Sequence, residues 1–368
     1  MSDLTMVAMS GGVDSSVTAM LLKQRTDNVA GLFMKNWEED DVDGACSAEA
    51  DAADARAVAE QIGIPFHARN FSIEYWENVF ESFLSELRAG RTPNPDVLCN
   101  REIKFKVFLD HARDLGATAM ATGHYVRRSE GATGWLLRKG RDPDKDQSYF
   151  LYMLDQEQLA AARFPVGEMT KPELRALAAE AGLSTANKKD STGICFIGER
   201  NFGDFISAYL TSEPGEIRTT DGLRIGQHRG LIHYTLGQRR GLGIGGVRGF
   251  SEAPWYVVHK DLEGNRLYVT QDEQDPHLLS SSLQADRLTW VAGQPPNNTD
   301  GLTAKIRYRQ PDQAVRIETL ANESMKLVFE QPQRAVTPGQ SVVLYDGDVC
   351  LGGGIITASD RRIPEDAS

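Results

Sequence analysis

Ser10-Gly-Gly-Val-Asp-Ser-Ser16 is the strongest chemical signal in the chain. It follows the apolar run Thr5–Met9 and opens a helix pattern from about Asp14 to Gln24. Two glycines let the backbone turn tightly and aim amide N–H groups at an anion. The helix N-terminus adds its positive dipole end. The hydroxyls of Ser10, Ser15 and Ser16 can donate to phosphate oxygens, and Asp14 can orient a metal ion that screens them. The loop lacks a Walker lysine, and no Gly-Lys dipeptide occurs anywhere in the chain. A Ser/Asp-capped helix after a glycine turn explains Gly-Gly alone, but it leaves the full string unexplained.

Thr92-Pro-Asn-Pro-Asp-Val-Leu-Cys-Asn100 is the second signal. Asn94 can cap a helix whose first residue is Pro95. Asp96 and Cys99 then lie at i and i+3 on one face. A helix N-terminus favours a thiolate, and Asp96 beside it can move a proton. The alternative is an inert thiol in an amphipathic helix, and the residues alone leave both open. The third signal is Asp190-Ser-Thr-Gly-Ile-Cys-Phe-Ile-Gly198, where Cys195 sits among apolar residues between two glycines. Taken alone it reads as a buried strand cysteine. Cys46 and Cys350 read as structural.

Basic and aromatic residues interleave at Lys145-Asp-Gln-Ser-Tyr149, Gln238-Arg239-Arg240 and Arg307-Tyr308-Arg309. Such groups hold phosphates and stack bases, or simply solvate strand edges. Arg307 and Arg309 are expected on one face of a barrel strand, with Tyr308 on the other. Gly241-Leu-Gly-Ile-Gly-Gly246 fits G-x-G-x-x-G, but it follows a basic turn and reads as a glycine-rich loop.

These residues need a scaffold, and the 368-residue length predicts two or three domains. Strands at Val29–Met34, Pro65–Phe71 and Thr118–Thr122 alternate with helices. Ala55, Val58, Ala59 and Ile62 share one helical face, which stops at Gly63. Trp76, Phe80, Phe83, Leu84 and Leu87 make a second stripe, and Thr170-Lys-Pro-Glu173 is a capping box. Such alternation implies a parallel sheet covered on both faces. After about Asn201 the texture turns Gly- and Arg-rich. From about Leu283 strand follows strand, including Lys305–Arg309, Lys326–Glu330 and Ser341–Tyr345. The expected fold is α/β: a nucleotide-binding domain over 1–202, a small central domain over 203–279 and an antiparallel β-barrel over 280–362.

Lys+Arg is 40 and Asp+Glu is 52, so the net charge of −12 excludes a generally basic nucleic-acid coat, though not a local basic surface. The sequence contains no apolar run of membrane-spanning length and no basic, apolar leader at its start, so a cytoplasmic protein with no membrane partner is expected. Four cysteines without C-x-x-C or paired histidines predict no tightly bound metal.

The loop at Ser10–Ser16 resembles the PP-loop of the ATP pyrophosphatase superfamily. The whole set resembles the tRNA-specific 2-thiouridylases. The matching strings include Ala8–Ser16, Gly90–Lys106, Ala121–Arg127, Lys145–Tyr152, Lys188–Glu199, Leu236–Gly246, Pro254–Val258, Arg307–Gln310, Val336–Gln340 and Cys350–Ile356. The resemblance implies ATP-dependent 2-thiolation of the wobble uridine in tRNAs for Glu, Gln and Lys, with Mg²⁺ accompanying ATP and sulfur delivered by a donor protein. It implies ATP contacts at Ala8, Met9, Ser10, Gly11, Gly12, Val13, Asp14, Ser15, Met34 and Gly123. It assigns the target base to Asn94, Pro95 and Asp96, and tRNA contacts to Lys145, Asp146, Gln147, Arg307 and Tyr308. Cys99 becomes the nucleophile and Cys195 the persulfide carrier, with sulfur passed directly or released by closing a Cys99–Cys195 disulfide. Two other readings stay open on the residues: a PP-loop synthetase that uses ammonia, and a nucleotide-binding redox sensor.

Overall fold

The computed structural model describes residues 3–26, 28–38, 47–132, 134–190, 202–321 and 323–367. Cys46, Cys195 and the rest of the 191–201 string lie outside the described residues.

Five parallel strands form the first sheet: β1 (Leu4–Ala8), β2 (Val29–Lys35), β3 (Phe66–Asn70), β4 (Ala117–Ala121) and the short β7 (Ala162–Arg163). Their order is β3-β2-β1-β4-β7. Side chains alternate across the sheet, so Met6, Leu32 and Met120 enter one apolar cluster while Val7, Phe33 and Ala121 enter another. Both faces are therefore covered, as a parallel sheet requires.

Helix α1 (Val13–Lys23) begins directly after the loop that leaves β1. Helix α2 (Ser47–Ile62) buries Ala55, Val58 and Ala59, and Gly63 ends it at φ +70°. The second stripe runs through Ser72–Arg88 with a π-helical segment at Trp76–Phe80.

A small mixed sheet follows, made by β8 (Gly215–Thr219), β9 (Arg224–His228), β10 (Tyr256–Asp261) and β11 (Arg266–Thr270). The last region is an antiparallel barrel of β12 (Leu279–Trp290), β13 (Thr303–Lys305), β14 (Gln313–Leu320), β15 (Ser324–Arg334), β16 (Ser341–Asp346) and β17 (Val349–Ser359). Pairing of β12 with β17 closes it. Met325, Leu327 and Phe329 alternate inward along β15.

Two findings depart from the sequence expectations. First, strand β13 stops at Lys305, so Arg307, Tyr308 and Arg309 occupy a turn rather than opposite faces of a strand. The Ile306 N–H bonds to the Gln310 side chain instead of a neighbouring strand, which ends the ladder. Second, the hairpin β5 (Val126–Gly131) and β6 (Gly134–Lys139), which lies early in the chain, joins the barrel through β6 and β17. Arg127 and Arg138 both grip Asp348 at 3.0 and 2.6 Å, and Lys139 pairs with Asp312. Arg127, Arg138 and Lys139 therefore tie this hairpin to the barrel. Among the described residues no helix is long and apolar enough to cross a membrane.

Candidate functional site

The loop between β1 and α1 is shaped by close approaches. Gly11 has φ +74°, and a Cβ there would lie 2.3 Å from the Asp51 carbonyl oxygen of α2. Gly123, in the turn after β4, is equally constrained. A Cβ on it would sit 2.8 Å from the Asp14 carbonyl carbon and 2.9 Å from the Ser15 nitrogen. The turn after β4 thus presses against the N-terminus of α1, and α2 presses against the loop that leads into it, where orphan amides gather. Met9 fixes the end of β1 by donating its N–H to Leu32 at 3.0 Å, while Ala8 and Met34 lie half-buried beside it.

The serines split by role. Ser10 is exposed, and its N–H donates to the Ser15 hydroxyl at 3.1 Å. Ser15 and Ser16 donate their hydroxyls to the Gly12 carbonyl at 3.0 and 2.8 Å. They brace the loop from inside.

Asp14 projects from the first turn of α1. Its Oδ1 accepts from Tyr125 at 2.8 Å and from Lys171 at 2.7 Å. Lys171 is buried, and its Nζ also meets Asp190 Oδ1 at 2.7 Å. Asp190 in turn takes Arg175 at 2.8 Å and, on Oδ2, Lys145 at 2.7 Å. Burial alone would push the Asp190 carboxyl up, but hydrogen bonds from Lys145 and Lys171 outweigh it and hold it at about 2. Burial, with Asp14 adding to it, raises the Tyr125 phenol and keeps it a proton donor. A polar chain therefore runs from the glycine loop through Lys171 and Asp190 to Lys145. Nearby, Lys188 joins Asp51 at 2.7 Å and also Asp54.

Sequence reasoning singled out Asp14 and Lys145 but missed what joins them. Lys171 hid in the Thr170-Lys-Pro-Glu173 capping box, which the structure contains. Asp190 was only the edge of a cysteine string.

Asn94 caps the helix Pro95–Leu98 and accepts from the Asp96 N–H at 3.2 Å. The run continues as a π-helix over Cys99–Val107, a wide turn often found at functional sites. Pro95 is buried and Asp96 half-buried. Cys99 stands at the fifth helical position with its side chain fully buried in the main apolar cluster. Asn94 also hydrogen-bonds Tyr149, whose hydroxyl donates to the Ser341 carbonyl at 3.0 Å. Two positions earlier, the Thr92 N–H donates to the Pro338 carbonyl at 2.9 Å, and Gln340 donates to the Thr92 carbonyl at 2.7 Å. The barrel turn Val336–Gln340 thus holds the Asn94–Asp96 loop in place.

The expected tRNA contacts have unequal surroundings. Asp146 is buried and accepts from the Gly140 N–H, the Ser148 N–H and the Ser148 hydroxyl at 2.9–3.1 Å. Gln147 accepts the Tyr125 N–H at 2.9 Å. Tyr308 donates to the Lys145 carbonyl at 3.4 Å, bringing together two residues 163 positions apart. Arg307 donates to the Ala335 and Leu236 carbonyls at 2.8 and 3.4 Å.

Cys350 is also buried, with its thiol 3.9 Å from the Ser148 carbonyl and hydrogen-bonded to the Gly352 backbone; burial pushes its thiol far up, out of thiolate chemistry. Among the described residues no three His, Cys, Asp or Glu side chains gather as a metal cage.

Residues 3–199 match the family model described as tRNA methyl transferase HUP domain. Residues 203–271 match a tRNA methyl transferase PRC-barrel domain, and 280–356 an aminomethyltransferase beta-barrel domain. The tRNA-specific 2-thiouridylase MnmA of Pseudomonas putida (strain GB-1) is 58% identical over 97% of this chain and 96% of its own length. That of Pseudomonas aeruginosa (strain UCBPP-PA14) is 58% identical over 96% of this chain and 94% of its own. A solved 4-thiouridine synthetase–RNA complex with bound ATP is 16% identical at TM-score 0.37, covering 56% of this chain and 49% of that one, a likeness too distant to bear on function. With more than half its residues matched along nearly its whole length, the chain belongs to the tRNA-specific 2-thiouridylase family.

Proposed function

We propose that this enzyme replaces the 2-oxygen of the wobble uridine with sulfur in tRNAs for Glu, Gln and Lys, at the expense of ATP. The observation that carries the reading is the chain Asp14–Lys171–Asp190–Lys145, which links the PP-loop to the residue expected to touch tRNA. Residues 1–202 would do the chemistry, and the central and barrel regions, 203–279 and 280–362, would seat the tRNA. The reaction takes place in the cytoplasm.

The uridine 2-carbonyl oxygen is a poor leaving group. Attack on the α-phosphate of ATP converts it to an adenylate and expels pyrophosphate. The loop Ala8–Ser15, with Met34 and Gly123, binds ATP. Its amides and the α1 dipole stabilise the departing charge, and Lys171 supplies a cation that a Walker lysine would provide elsewhere. Asp14 keeps Oδ2 outside the bonds made by Oδ1, so it can hold the Mg²⁺ that accompanies ATP and neutralises phosphate charge. Asn94, Pro95 and Asp96 hold the base once it leaves the anticodon stack. Cys195, loaded by a sulfur-donor protein, carries the persulfide. The persulfide's terminal sulfur adds to C2 of the adenylate and AMP leaves. Cys99, its proton taken by Asp96, attacks the Cys195 sulfur to release that outer sulfur, as sulfide before the addition or from the base after it. This closes a Cys99–Cys195 disulfide that a thiol reductant reopens. Lys145, Asp146, Gln147, Arg307 and Tyr308 shape the tRNA surface, Asp146 and Gln147 by supporting the loop.

Incubation of the protein with ATP, a cysteine desulfurase system and unmodified tRNA should yield 2-thiouridine by nucleoside mass spectrometry, with AMP and pyrophosphate. ADP and phosphate as the tRNA-dependent products, or no thionucleoside, would overturn the reading.

A further inference from the structure

The glycine-rich loop of the central region takes no part in that chemistry. Between Asp221 and Glu252 the chain runs thirty residues with five arginines and no acid, in a protein of net charge −12. Arg224 pairs with Glu216 at 3.5 Å. Arg239, Arg240 and Arg248 are exposed, and their side chains make no ion pair or hydrogen bond among the described residues.

The backbone between them is as open as the side chains. Gly241 and Gly243 have φ of +72° and +68°, yet a Cβ on either would meet nothing within 4 Å. Gly245 and Gly246 also face empty space. Packing therefore does not require these glycines, whereas the backbone conformation does at the first two. Among the described residues no backbone N–H of 239–246 donates a hydrogen bond. A run of free amides beside three guanidinium groups is an anion-binding surface.

The loop is also placed rather than adrift. Its stem is pinned by Gly237 N–H to the Val257 carbonyl at 2.7 Å, and Leu242 is buried in the central core. Thr235 meets Thr92 hydroxyl to hydroxyl at 3.3 Å, two positions before Asn94. A Cβ on Gly237 would lie 3.4 Å from the Arg307 guanidinium. The loop thus leaves the fold between the expected base pocket and an expected tRNA contact.

We propose that this loop is a phosphodiester-backbone site: the amides of 239–246 and Arg239, Arg240 and Arg248 bind tRNA phosphates flanking the target nucleotide. The proposal rests on the tRNA reading above. Eight extended residues span up to about 26 Å, enough to follow a strand. A free nucleotide fits less well, because no helix N-terminus or enclosing wall accompanies the loop.

The test measures equilibrium binding of unmodified tRNA to the full-length protein across a salt series. Wild-type protein should bind, and failure to bind even at low salt overturns both readings. Arg239→Gln/Arg240→Gln/Arg248→Gln should weaken binding at least about tenfold near 0.15 M salt. Its salt slope should flatten by roughly 0.7–0.9 for each phosphate that the variant no longer neutralises. The matching lysine triple should keep most of the affinity. Gly241→Ala/Gly243→Ala should weaken binding a few-fold with the slope unchanged, because no charge is removed. ATP affinity should be the same in every variant. Wild-type tRNA affinity and slope in the glutamine triple overturn the loop proposal alone. Loss of ATP affinity with tRNA binding intact also overturns it, and makes the loop a nucleotide site.

Discussion

Gly11 and Gly243 share a positive φ and little else. Around Gly11 the fold closes in: a Cβ would strike the Asp51 carbonyl at 2.3 Å, and the serine hydroxyls bond back into the loop. Around Gly243 nothing lies within 4 Å, and the neighbouring arginines face solvent. The first loop opens a helix and is braced before any ligand arrives, which suits a small anion bound in one geometry. The second is held at its stem and by Leu242, Ile244 and Val247 against the central core, and its glycines and arginines lie open, which suits a long, pliable polyanion. Glycine richness alone therefore does not define a phosphate site. What matters is whether the surrounding atoms leave the backbone any choice.

The largest effect should come from a residue in neither loop. Cys99→Ser should leave no detectable 2-thiouridine, since a hydroxyl is not a ready nucleophile, while both loops keep their ligands within about twofold. Cys195→Ser should lose thiolation equally and alone lose the persulfide adduct seen by mass spectrometry after exposure to a desulfurase. Normal thiolation in either variant would refute the two-cysteine route.

Gly11→Ala comes next. The clash and the left-handed backbone should cost about 2–4 kcal/mol of stability, and tRNA-dependent pyrophosphate release should fall by on the order of a hundredfold or more. Denaturant titration and a pyrophosphate assay check the two arms. Retained activity would mean the first loop is as pliable as the second.

Lys171→Met should slow pyrophosphate release by about ten- to a hundredfold, because it strips a cation from between Asp14 and Asp190. Lys171→Arg should restore part of the rate. Equal loss in both variants, matched by equal loss of stability, would reduce Lys171 to a structural ion.

The same cluster makes an acid-pH prediction. Asp190 is held at about 2, below its ordinary value near 3.8, so its contribution to stability is complete above about pH 4 and fades as pH falls toward 2. Urea midpoints at pH 6, 4 and 3 should show Asp190→Asn losing part of the wild-type acid sensitivity. An identical pH profile would remove Asp190 from the stabilising network.

The smallest effect is expected for Gly243→Ala. Its left-handed backbone should cost about 1–2 kcal/mol, so its melting temperature should fall by only a few °C, and its ATP affinity should not change, because the added methyl meets no atom. A large drop in stability would erase the contrast between the two loops.

Local patterns were legible wherever the physics is local. The strand–loop–helix at Ser10–Ser16, the Asn94 cap with Pro95 behind it, the Thr170 capping box and the stop at Gly63 depend on residues within a few positions of one another. The apolar face of α2 and the alternation along β15 follow from helix and strand periods. Long-range polar partners were not legible. Lys171 reaches Asp14 across 157 positions, and Asp348 collects Arg127 and Arg138 across 221 and 210. A lysine or aspartate looks the same in sequence whether it is solvated or bridging, and only folding brings its partner within reach. The end of β13 at Lys305 has the same cause: alternation extended the strand through Arg309, but the Ile306 N–H found the Gln310 side chain instead of a ladder partner. The sequence alone determined which segments form the loops, caps and strands, because those choices rest on near neighbours. The tertiary structure decided which charges meet, which glycines are confined and which turn holds the Asn94 loop, because those depend on atoms that lie close only after the chain has folded.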